Sequence, residues 1–309
     1  MSLVDTSLAE EINQLKKDRN AIVIAHSYER GEVQEVADFV GDSLGLSRIA
    51  ASTDADVIVF AGVHFMAETA SILNPTKKVL LPDLGAGCSL ADTIAASDVK
   101  QWRDENPDGQ VVSYVNTTAE VKALSDVCVT SANAVEVVKS LDPTRPIFFL
   151  PDMFLGAYVE KMTGIKMHVW MGECHVHAGI GDAEIKEKLE QYPDAEFLIH
   201  PECSCGSSCL FLKPDAKMMS TEGMVKYAAA SDKKEFVVAT EVGIIHRLNK
   251  MAPGKRFLPV KESAVCQYMK MITLEKVRDS LLLDQFEIKV DEEIAVPARR
   301  AIEKMIAIG

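Results

Sequence analysis

LAEEINQLKKDRNAIVIAH at 8–26, DVKQWRDENPDGQVVSY at 98–114 and EIKEKLEQYPDAEFLIH at 184–200 share one design. In each, a polar, helix-like segment leads into a short apolar strand that ends at a polar ring, His26, Tyr114 or His200. These residues are separated by 88 and then 86 positions. Apolar runs rich in Val, Ile and Leu, bounded by polar turns and alternating with helix-like stretches, are the pattern of a parallel α/β chain.

The repeat extends outward from these strands. Two positions further on stand Tyr28, Asn116 and Glu202, and a hydroxyl recurs later at Ser43 (GDS), Ser131 (TSA) and Ser220–Thr221 (MST). A third apolar run follows in each copy (VIVFAG, PIFFLPD, EFVVATE), and a fourth closes on Cys88, Cys174 and Cys266, separated by 86 and 92 positions. The repeat predicts three homologous αβα domains with parallel sheets, at 1–104, 105–190 and 191–309, the last with a C-terminal helical extension. Residues just past the carboxyl ends of parallel strands share one face, where ligands bind. Packed with pseudo-threefold symmetry around a central active site, the copies would bring together three cysteines, two histidines, a tyrosine and several hydroxyls. Side-by-side stacking, with the same polar residues serving turns and caps, is the other arrangement this pattern allows.

Composition narrows the function classes. The chain has 309 residues, 48% hydrophobic and 26% charged, enough for two or three globular units. A net charge of -13 without a Lys/Arg-rich block points away from nucleic acid, whose binding needs clustered cations. MSLVDTSLAEEINQLKKDRN has no basic segment followed by an apolar run, and no later stretch approaches the roughly 18 apolar residues of a membrane span, so a cytoplasmic protein without membrane attachment is expected. In that compartment seven cysteines read as metal ligands or buried thiols rather than disulfides.

A lone free cysteine is most often a small buried hydrophobe. Equivalent placement in three repeats favours Cys88, Cys174 and Cys266 as ligands, whereas Cys128 in SDVCVTSA, without counterparts, keeps the buried role. Three thiolates would leave one iron of a cubane open as a Lewis acid, which suits dehydration or condensation. His26 and His200 are placed to bind a carboxylate or move a proton, or else to bond backbone in a turn. His177 stands three residues after Cys174 in CHVH, with His175 pointing elsewhere. Glu202 is either a general base beside His200 or a helix-start residue.

GVHFMAETASILNPTKKVLLPDLGAGCSLAD, SYVNTTAEVKALSDVCVTSANA, WMGECHVH, HPEC and CQYMKMITLEKV closely resemble the quinolinate synthase family, and the resemblance runs from about Ile22 to the end of the sequence. It implies one 4Fe-4S cluster per chain, held by Cys88, Cys174 and Cys266 with the fourth iron open. It also implies condensation of iminoaspartate with dihydroxyacetone phosphate to quinolinate, in NAD biosynthesis, and a functional link to L-aspartate oxidase. Carried onto matching positions, the resemblance makes His26, Ser43, Ser131 and His200 the anion-binding set, with Tyr114 and Asn116 lining the pocket. Tyr28, Glu202 and Thr221 handle protons, and His177 belongs to the site. Met269 packs beside the cluster. His64 and Glu68 of HFMAET serve either the site or helix packing.

Two places depart from the family pattern. Ser27 in AHSYE stands where asparagine is more usual. Cys203, Cys205 and Cys209 of HPECSCGSSC would suit a second metal site, a redox pair or a loop, and their spacing fits neither a zinc finger nor a ferredoxin run. A cluster-dependent hydratase and an iron-sulfur or zinc sensor are the competing classes. A nicotinamide dehydrogenase is set aside, because no GxGxxG follows the first strand and Gly85–Gly87 leads into Cys88.

Overall fold

The computed structural model describes residues 6–206 and 212–308. Its strands form three separate four-stranded sheets, every pairing parallel. The first contains β1 (Ala21–His26), β2 (Phe39–Gly41), β3 (Val57–Ala61) and β4 (Lys78–Leu80) in the order β2-β1-β3-β4. The second contains β5 (Gln110–Tyr114), β6 (Val127–Val129), β7 (Ile147–Leu150) and β8 (His168–Val169), ordered β6-β5-β7-β8. The third contains β9 (Glu196–Ile199), β10 (Lys217–Met218), β11 (Glu235–Ala239) and β12 (Arg256–Pro259), ordered β10-β9-β11-β12. One topology used three times, flanked by helices, is the α/β arrangement the repeat predicts.

Register explains why the repeated residues are equivalent. Ala25 pairs with Ala61, Ser113 with Leu150 and Ile199 with Ala239, so His26, Tyr114 and His200 each occupy the next step toward the carboxyl edge. His200 lies one residue beyond β9, its N–H still donated to the Ala239 carbonyl at 3.0 Å. The central strands are buried on both faces, hence their unbroken Val/Ile/Leu/Phe runs. Side chains from all three sheets, Ile24, Val112 and Leu198 among them, enter one continuous apolar core.

The fourth run of each copy is mostly not strand. The cysteines follow β4, β8 and β12 by eight, five and seven residues, in loops that end in the short helical turns Ala91–Thr93, His175–Ala178 and Met269–Met271. After β12 the chain returns to the earlier sheets. The helix Leu274–Leu283 packs mainly on the helix Thr6–Asp18 and on β3, and Phe286 and Ile288 donate to the Leu81 and Val79 carbonyls, covering the β4 edge. The helix Glu292–Ala307 lies against the helices Ala119–Ala123 and His64–Leu73 and against β6. Asn133 Nδ2 donates to the carbonyls of Met305 and Ile308, both at 2.9 Å, and Arg48 donates to Ile306 O at 2.9 Å. This helix therefore braces the first sheet against the second. Among the described residues, no helix is long and apolar enough to cross a membrane.

Candidate active site

The carboxyl edges of the three sheets meet around a cavity of about 730 Å³, counted with its open mouth. It brings together His26, Tyr28, Ser43 and Cys88 from the first copy, Tyr114, Asn116, Ser131, Cys174 and His177 from the second, and His200, Glu202, Thr221 and Cys266 from the third. Side-by-side stacking is thereby excluded.

Each cysteine begins a turn whose first N–H groups point back at its sulfur. The backbone donors are Leu90 and Ala91 for Cys88, Val176 and His177 for Cys174, and Tyr268 and Met269 for Cys266. Burial pushes all three thiols up, Cys88 to about 12, and the Cys88 thiol is raised further by Cys266 and that of Cys174 by Cys88. The six described cysteines are all free. Three neighbouring thiols that resist ionising alone, each with two N–H donors ready for a thiolate, fit a multivalent cationic centre that would hold them deprotonated.

Glu202 organises the polar side of the cavity. Its Oε2 lies 3.1 Å from His177 Nδ1 and 3.3 Å from His200 Nδ1. Burial raises this carboxyl, but His177, His200 and the Tyr114 hydroxyl outweigh it and bring it down to about 2. Glu202 Oε1 is buried without a hydrogen-bond partner, as is Asn116 Oδ1. Burial lowers His177 to about 4 against the pull of Glu202, so the imidazole is neutral near neutral pH. His177 also reaches Cys174 Sγ at 3.3 Å through Nδ1 and Thr240 Oγ1 at 2.8 Å through Nε2, and Thr240 bonds the Tyr28 hydroxyl. Cys174, His177 and Glu202 thus form a second donor set, with ligand atoms within 4.8 Å of one another, able to hold a metal. Cys174 is common to this set and to the repeated thiol set.

The model of the family described as Quinolinate synthetase A protein matches residues 10–307. The chain belongs to the quinolinate synthase family. Curated relatives named quinolinate synthase include one from Thermus thermophilus, 65% identical over 98% of this chain and 98% of its own. Those of Pyrobaculum aerophilum and Mycobacterium leprae are 54% and 51% identical, covering 96% and 99% of this chain and 98% and 89% of their own. The protein is an enzyme of NAD biosynthesis.

In this quinolinate synthase, two of the hydroxyls that line the cavity stand at helix starts. Ser43 and Thr221 open the ten-residue helices Ser43–Ser52 and Thr221–Ala230, whose first N–H groups favour negative charge. Ser131 is 3.1 Å from His200 Nε2. His26 Nδ1 accepts the Tyr28 N–H at 3.1 Å, leaving Nε2–H as a donor, and burial, Arg247, His200 and Lys270 lower the ring to about 3. Near neutral pH the ring is therefore a neutral donor rather than an imidazolium.

Most of the other residues singled out in the sequence lie outside the cavity. Phe65 and Met66 of HFMAET, with Val63 just before it, wall the cavity, but His64 and Glu68 do not line it. Glu68 accepts the Ala119 N–H at 3.2 Å and sits in the field of buried Lys122, which fastens the first copy to the second. Cys128 is buried in β6. Cys203 and Cys205 are buried beside each other, Cys203 Sγ donating to Ala239 O at 3.2 Å, and neither lines the cavity. Cys209 lies outside the described residues. Ser27 turns from the cavity, bonding Gly41 O at 3.0 Å and accepting from Arg247 at 2.9 Å.

Sequence reasoning missed Thr240, Asp42 and the rim residues Ser89 and Tyr268, and its expectation that His175 points elsewhere is corrected, since His175 lines the cavity together with His177. Thr240 follows β11 where the other copies have Gly62 and Pro151, so no repeated hydroxyl marked it. Asp42, the N-cap of the helix after β2, accepts from Gly45 N at 2.9 Å and from Ser220 Oγ at 3.3 Å. The Asp-Ser pair of GDS was its signal.

Proposed function

We propose that this chain condenses iminoaspartate with dihydroxyacetone phosphate to form quinolinate, releasing phosphate and water. The observation that carries this reading is the meeting, in one cavity, of three threefold-related thiols, an unpartnered Glu202 oxygen and two hydroxyl-bearing helix starts. Domain limits of 1–104, 105–190 and 191–309, a cytoplasmic location and supply of iminoaspartate through L-aspartate oxidase belong to the same proposal.

Cys88, Cys174 and Cys266 would hold one 4Fe-4S cluster, which when bound supplies a Lewis-acidic iron for a substrate oxygen or nitrogen. The remaining chemistry is the chain's own. His26 Nε2–H, Ser43 and Ser131 donate to substrate carboxylate and phosphate oxygens, and His200 orients Ser131. Asn116 and Tyr114 position the substrate. Glu202 Oε1 accepts a substrate proton; its basicity rises when His177 or His200 turns its N–H toward the ligand. Tyr28, hydrogen-bonded to Thr240 and through it to His177, and Thr221 complete the proton-handling side.

Oxygen-free purification followed by a quinolinate assay tests the reading, with Cys88→Ser, Cys174→Ser and Cys266→Ser measured alongside for iron and sulfide. The expected result is turnover with about four irons per chain, lost in all three variants. Full activity in any one variant, or no turnover in a cluster-replete protein, overturns it.

A further inference from the structure

The residues that follow the cysteines are joined to one another. Ser89 Oγ lies 2.6 Å from His175 Nδ1, linking the Cys88 loop to the Cys174 loop. The His175 ring meets the Tyr268 ring edge-on at 5.9 Å and 85°, linking the Cys174 loop to the Cys266 loop. On the third side, Met271 Sδ lies 3.4 Å from where a Cβ on Gly85 would stand, and Lys276 pairs with Asp83. The links thus run round the whole triangle. Ser89, His175 and Tyr268 all line the cavity; His175 is exposed, and Ser89 and Tyr268 are half-buried.

We propose that Ser89, His175 and Tyr268 form a clasp that holds the three cysteine loops at fixed separation, slowing both release of bound iron and entry of reagents to the sulfurs. The inference rests on the reading of these cysteines as one ligand set. Loops beyond short strands open locally at low cost, and a centre shared by three loops is released once any one swings aside. The contacts between loops, rather than those within each sheet, therefore set the rate. His175 is the hub, because it touches both other loops. All three are positioning residues and act through the cysteines.

Two rates test the clasp: iron loss from anaerobic holoenzyme to a ferrous chelator, and alkylation of Cys88, Cys174 and Cys266 by iodoacetamide in cluster-free protein, followed by mass spectrometry. His175→Ala removes one hydrogen bond and one ring contact, and both rates should rise about tenfold, equivalent to about 1.4 kcal/mol. Tyr268→Phe keeps the ring edge and should stay within about twofold of wild type, while Tyr268→Ala moves toward His175→Ala. Alkylation of Cys128, buried in β6, is the control and should not change. Unchanged rates in His175→Ala, equal rates in Tyr268→Phe and Tyr268→Ala, or a parallel rise at Cys128 would each overturn the clasp. If His175→Ala fails to fold, Ser89→Ala takes its place with the same expectation for the Cys88 and Cys174 loops. If wild type holds no iron, the cofactor reading fails, and the alkylation rates alone decide the clasp.

Discussion

Acidification from about pH 7 to about pH 5 should destabilise the cluster-free wild-type protein by about 2 kcal/mol more than it destabilises His26→Asn. His26 is 6% exposed, and burial first, then Arg247, His200 and Lys270, lower its imidazole from 6.5 to about 3 despite the opposing charge of Glu202. A folded-state value below the unfolded one means that the unfolded chain takes up the proton first. The stability is present above about pH 6.5 and is lost as the pH falls toward about 3. At about pH 5 the loss extends over about 1.5 pH units, each worth about 1.36 kcal/mol. Asparagine keeps an acceptor for the Tyr28 N–H and has no proton to gain, while His177 titrates alike in both proteins and cancels. Urea unfolding of both proteins at the two pH values reads the difference directly. Equal losses in wild type and variant would refute the burial argument for His26.

Two further outcomes follow from the site and its frame. Glu202→Gln keeps the shape between His177 and His200 but removes the acceptor charge, so quinolinate formation should fall about 10²- to 10⁴-fold at unchanged iron content; retention of more than about a tenth of the activity would exclude a proton-accepting role. Glu68→Gln removes the nearby negative charge that offsets the burial of Lys122, whose ammonium still donates to the Thr117 carbonyl, and should cost about 1–3 kcal/mol, read as a lowered melting temperature. Lys122→Met in the same chain should restore most of that loss, and a stable Glu68→Gln single variant would show that the pair fastens nothing.

The threefold order of the sheets was legible because the parallel strands are buried on both faces and announce themselves as unbroken apolar runs, and because a period near 86 residues repeats from β1 to β5 to β9. Chemistry placed just past those strands was legible for the same reason: a polar side chain directly after a buried run has few structural excuses. What the repeat could not reveal is what breaks it. Thr240, Asp42 and the Glu68–Lys122 pair each occur in one copy only, and their partners come from a different copy. The C-terminal helical extension was legible but its destination was not, since a stripe of apolar residues in the helix Glu292–Ala307 shows that it packs but not on which sheet. The short β8 and β10 illustrate a different limit, because two residues of strand carry no periodicity to read.

The helix Glu292–Ala307 imposes an order in time. A ribosome releases the segments of all three sheets before this helix is made, and sheets can begin to form as they emerge. A nascent chain paused after Met271 already carries all the groups that line the cavity, yet lacks the brace that Asn133 and Arg48 grip between the first two sheets. Assembly of the catalytic chamber is thereby postponed until translation has passed this point. Loading of iron before then would meet thiols on units not yet locked together, so maturation has reason to follow synthesis rather than accompany it.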